Sequence, residues 1–130
     1  MPSAQSVFTA LEALRDVLGA VSGVQTSKVG LESNMTPADY PMVRVVPSRI
    51  SNAGTLSRRR TECLVYFGQP VHEFEDGLEA LHENMLTLEA ALITAAQTSN
   101  QFFCDYIETV VDEDRVDGYK LMALRLAVEV

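Results

Sequence analysis

Apolar residues recur along this chain with two distinct periods. Between positions 74 and 97 it reads FEDGLEALHENMLTLEAALITAAQ, with Phe74, Leu78, Leu81, Met85, Leu88, Leu92 and Ala95 separated by gaps of four and three. That spacing stacks side chains on one face of an α-helix. Glu75, Asp76 and Glu79 crowd its start, where carboxylates oppose the positive end of the helix dipole. Leu86, Ala90, Ala91, Ile93 and Ala96 widen the apolar stripe towards the C-terminal end, as in a helix buried against a broad surface such as a sheet. A second helix is predicted from Ala4 to Ser22, with Ser3 as N-cap and Gly23 as C-cap. Its apolar face is Val7, Phe8, Leu11, Leu14, Val17, Leu18 and Val21.

Elsewhere the period is two. Met42 to Val46 is a β-branched strand confined by Pro41 and Pro47, and Ser48 to Ser57 is predicted as an exposed hairpin loop. In the strand Thr61 to Phe67, Thr61, Cys63, Val65 and Phe67 share one face, and Glu62, Leu64 and Tyr66 the other. Phe102 to Val111 and Tyr119 to Val130 form a hairpin pair around the turn signal Asp117-Gly118. Met122, Leu124, Leu126, Val128 and Val130 make the core face of the last strand. Val24 to Leu31 is weakly β-prone, at most a short or irregular strand, and Glu32 to Pro41 reads as a loop. The expected fold is one α+β domain over residues 1–130. It is a two-layer sandwich in which a mainly antiparallel four-stranded sheet carries two amphipathic helices on one face. The other face then leaves Leu64, Tyr66, Leu121 and Ala123 in water, which calls for a partner surface.

Composition narrows the function classes. The net charge is −8, from ten Lys+Arg against eighteen Asp+Glu, the opposite of what gripping phosphate requires. No apolar run approaches the ~18 residues that cross a bilayer, and no leader pattern opens the chain, so a soluble intracellular protein without membrane contact is expected. Cys63 and Cys104 stand in predicted strands outside any CxxC or Cys/His pattern, which makes them reduced, packed thiols.

Catalytic constellations fail on spacing. His82-Glu83 has Leu86 where a zinc-protease helix needs a second His, and His72 stands near no nucleophile motif. Asp112, Glu113 and Asp114, with Asp117, lack the alternation, central Gly and closing Glu of a calcium loop, and read as a solvated hairpin tip. No enzyme activity, metal or cofactor is expected. Arg58, Arg59 and Arg60 alternate sides in an extended strand, so they cannot all meet one acidic patch of their own subunit. They read either as a solvated charge run or as a contact with a neighbour's acidic edge, with Glu73, Glu75, Asp76 or the tip at Asp112 to Asp114 as candidates.

The layout resembles a known family. A leading helix, FTALEALRDVLGAVSGV, runs into a short connector. A loop then ends in the proline-bounded strand YPMVRVVPS, followed by a strand, a long helix and a terminal hairpin. This order and length are similar to the tail terminator, or tail-completion, proteins of long-tailed bacteriophages, of the lambda minor tail protein U type. The resemblance covers nearly the whole chain and rests on layout, without a diagnostic motif. It implies a structural virion protein at the head-proximal end of the tail, forming a ring, usually a hexamer. The ring caps the tail tube, stops its growth, offers a joining surface to the head connector and lets DNA pass through its lumen without specific binding. Two other classes fit the same size and composition: another phage head–tail connector or neck protein, and a small dimeric ligand-binding α+β domain. From the charge balance we expect no complex with duplex DNA near physiological salt. A fluorescence titration showing micromolar, salt-sensitive binding would contradict this.

Overall fold

The two periods become two helices and five strands in the computed structural model, which describes residues 4–30, 41–52, 59–70, 78–100, 102–111 and 119–129. In chain order these are α1 (Ala4–Gly19), β1 (Thr26–Val29), β2 (Met42–Asn52), β3 (Arg59–Pro70), α2 (Leu78–Thr98), β4 (Phe103–Val111) and β5 (Tyr119–Glu129). The strands form one mixed sheet in the order β1-β2-β3-β5-β4. Only the β1–β2 pair is parallel, with Thr26 opposite Met42 and Val29 opposite Val45. The α+β class stands, but the predicted four-stranded antiparallel sheet is corrected to five strands with one parallel pair.

β1 is the weak strand expected within Val24 to Leu31, left out of the four-stranded sheet because four residues, TSKV, carry little β signal of their own. Tertiary contacts hold it. Ser27 Oγ donates to the Arg15 carbonyl at 2.7 Å, tying the strand to the last turns of α1. Gln25 N donates to Pro41 O, and Gly30 N to Val45 O, each at 2.8 Å. Gly19, the last residue of α1, lets helix and strand approach, since a Cβ there would lie 3.0 Å from Ser27 Cβ. Gly23 and Gly30 turn the chain at φ 95° and 93°, a region that side chains disfavour. Thus α1 ends three residues before the predicted Ser22, and Gly23 serves the turn that follows.

Pro47 does not end β2. The strand continues to Asn52, and its pairing with β3 shifts register between Pro47 and Arg49. A bulge accommodates a residue that lacks an N–H, and Ser48 Oγ donates to Glu62 O at 3.1 Å beside it. The predicted loop from Ser48 therefore starts as strand, and its remainder, 53–58, lies outside the described residues.

The core occupies one side of the sheet. β3 supplies Cys63, Val65 and Phe67, β5 supplies Met122, Leu124, Leu126 and Val128, and β2 supplies Val43 and Val45, all buried. Leu11, Leu14 and Leu18 of α1 and Leu81, Met85, Leu88 and Leu92 of α2 close over them. The α2 stripe runs on to Ala96 rather than Ala95, and Leu86 points to solvent, so the predicted widening is partial. We expect Gly19→Val to lower the urea unfolding free energy by about 1–3 kcal/mol through overpacking against Ser27, and Gly19→Ala by less.

Candidate subunit interface

The face of the sheet away from the helices is ordered in rows by the strand register. Arg44, Tyr66, Ala123 and Val110 lie in one row, and Val46, Leu64, Arg125 and Glu108 in the next. Then come Arg49, Glu62, Ala127 and Asp105, and last Ser51, Arg60, Glu129 and Phe103. Apart from the buried Arg44, the first of these rows is apolar from β2 to β4, and the later rows hold a ladder of opposite charges. Arg60 Nη2 meets Asp105 Oδ2 at 3.1 Å and its Nη1 meets Glu129 at 3.9 Å. Arg125 meets Glu108 at 3.5 Å and Arg49 meets Glu62 at 4.0 Å. Such half-exposed pairs are worth about 0–1 kcal/mol each, so they align strands more than they stabilise the fold.

These rows redistribute the residues singled out from the sequence. Arg60 finds its acidic partners within its own sheet. Arg59, opposite Asn52, lies at the start of β3 on the helix-side parity. Arg58, Asp112, Glu113 and Asp114 lie outside the described residues, as do Glu73, Glu75 and Asp76. Leu64, Tyr66 and Leu121 are half-buried, and Ala123, a short side chain flanked by Tyr66 and Val110, is only 7% exposed. The apolar outer set is therefore less open to water than the alternation alone implies.

The exposed apolar surface is instead concentrated on β4. Phe103, Ile107, Val110 and Val111 are 69%, 40%, 47% and 53% exposed, four of the seven large hydrophobic residues in water among the described residues. β4 is an edge strand, and a register shift between Tyr106 and Glu108 turns Ile107 out of the ladder. Edge strands are ordinarily blunted by Lys or Pro. The sequence FCDYIETVV has neither, and its edge devices are the bulge at Ile107 and the carboxylates Asp105 and Glu108.

The helix side offers little chemistry. A shallow depression of about 140 Å³ lies between the turn after α1 and α2, lined by Gly23, Pro41, Thr87, Leu88 and Ala91 among others, with no ionisable side chain. Among the described residues, no group of three or more His, Cys, Asp or Glu could hold a metal, and no helix is long and apolar enough to cross a membrane. Burial pushes the Cys63 thiol up to about 12 and the Cys104 thiol up to about 11, with a smaller push on Cys63 from Cys104 and on Cys104 from Asp105. Both are free cysteines on the core side of the sheet, Cys63 opposite Leu126 and Cys104 opposite Val128. Thiols so disposed are poor nucleophiles at neutral pH. No family model and no curated protein matches the chain.

The thiols have a pH consequence. Their folded pKa values lie above the usual 9.0, so their contribution to stability is complete below about pH 9 and is lost as pH rises towards 11–12. Urea midpoints measured from pH 7 to 10.5 should be level and then fall. Cys63→Ala should flatten the alkaline fall relative to its own neutral value.

Proposed function

We propose that this protein is a structural virion subunit that assembles into a ring on the tail tube of a long-tailed bacteriophage. The ring would end tube growth and present the surface that joins the head. The observation that carries this reading is the apolar surface exposed along the edge strand β4, which favours association over life as a lone monomer. The order of elements that resembles the tail terminators supports it from a second direction.

The charge balance agrees with a lumen role. Six copies of a −8 chain surround any axial channel with a field that repels phosphate, so DNA would pass without adhering. Another connector ring of the head–tail junction shares these requirements and differs in its position along the virion. The small-ligand alternative draws on the depression beside α2, whose lining provides no charged group to orient a ligand.

Gold-labelled antibody on intact virions, with light scattering and negative-stain micrographs of the purified protein alone and mixed with tail tubes, tests the proposal. Label at the junction of tail and head, and rings free in solution or seated on tube ends, are expected. A protein that stays monomeric and leaves tube ends bare would overturn it.

A further inference from the structure

Among the described residues no further strand pairs with either edge of the sheet, and the two edges are unlike in ways that match. β4 runs along one edge and β1 along the other. β1 is parallel to β2, and each later pairing in the sheet reverses direction, so β1 and β4 run in opposite senses. A copy rotated beside the first, with its sheet continuing the first one, therefore brings its β1 antiparallel to β4. Antiparallel pairing is also the slightly more stable kind.

The side chains discriminate between the possible pairings. On the face away from the helices, β4 presents Asp105 and Glu108, with side chains 61% and 52% exposed despite their bonds to Arg60 and Arg125. Each carboxylate has acceptor sites beyond those that one guanidinium fills. On the same face, β1 presents Lys28, exposed and opposite Arg44 in the register. Two β4 strands side by side would oppose carboxylate to carboxylate, and two β1 strands ammonium to ammonium. Only the mixed pair sets unlike charges across the new ladder.

We propose that copies of this chain join by adding β1 of one to the β4 edge of the next, continuing the sheet around the assembly. This deepens the ring reading and rests on it. The contact is head-to-tail, and a head-to-tail contact closes into a ring when its rotation divides the circle. Lys28 confers the direction, while Phe103, Ile107 and Val110 lose their exposure to the neighbour.

Zero-length carbodiimide coupling of the native assembled protein tests it, with peptides read by mass spectrometry on a mixture of light and isotope-labelled copies. Within one copy β1 and β4 are four strand spacings apart, roughly 19 Å, too far for direct amide formation. The expected product is a light–heavy peptide joining Lys28 to Asp105 or Glu108. Lys28→Glu should raise the concentration for half-assembly about three- to tenfold, while Lys28→Arg leaves it near the native value. Rings that form without the coupled peptide, or that ignore Lys28→Glu, would overturn the edge pairing and leave the ring itself intact. Absence of assembly, both in solution and on tube ends, would overturn both.

Discussion

The register between β3 and β5 is the constraint on which the rest of this molecule depends. Their pairing runs without a break from Arg60 opposite Glu129 to Pro70 opposite Tyr119. On its helix side it alternates Cys63, Val65 and Phe67 with Leu126, Leu124 and Met122, all buried. A slip of one residue would turn each of these side chains to water and bring Glu62 and Arg125 into the core. Hydrophobic burial at roughly 25 cal/mol per Å² makes that slip prohibitive for a set this large. The same register fixes the opposite face, because the charge ladder and the apolar row are its other parity. Bulges occur only on the flanking strands, at Pro47 in β2 and at Ile107 in β4, where the central pair is not disturbed.

From that centre, order weakens towards β1. The strand is tied to its neighbour partly through Arg44, whose Nη1 donates to Thr26 Oγ1 at 2.9 Å and to the Val43 carbonyl at 2.8 Å. Arg44 is fully buried, and among the described residues its Nε and Nη2 have no hydrogen-bond partner. These two nitrogens share one edge of the guanidinium, the fork that receives a carboxylate in bidentate fashion. Leaving them unfilled costs stability that an aliphatic side chain of similar length would not forfeit. Arg44 therefore fastens an edge strand at some expense to the fold.

Legibility in the sequence followed the strength of local pattern. The α2 stripe and the alternation of Thr61 to Phe67 are strong, single-period signals, and both elements are found where they were expected. β1 was legible only as a weak strand and its place in the sheet was not, since that depends on Gly19, Ser27 and the Arg15 carbonyl meeting in space rather than on the propensity of TSKV. Pro47 misled for a related reason. A proline is a stop signal only where no bulge absorbs its missing donor, and the partner strand decides that. For the interface, inside–outside alternation picked out Leu64, Tyr66, Leu121 and Ala123, yet exposure depends on strand order, which alternation does not encode. Placing β5 in the sheet interior and β4 at its rim moved the exposed apolar surface to β4.

An apolar edge carries a liability that the charge of this chain answers. Apolar edge strands invite indiscriminate pairing, and free copies must stay apart until they meet in the proposed orientation. Net charge of one sign repels copies at long range, and in physiological salt that repulsion is screened beyond about 8 Å. Contacts within that distance are governed instead by which side chains face one another. In the proposed pairing Asp105 and Glu108 on β4 would act as a filter, hostile to a second β4 and receptive to a strand bearing Lys. The acidity that argues against nucleic-acid binding and the apolar edge that argues for assembly are thereby compatible. In the proposed assembly the first would act only near contact, against like-charged edges, and the second would make the correctly oriented encounter productive.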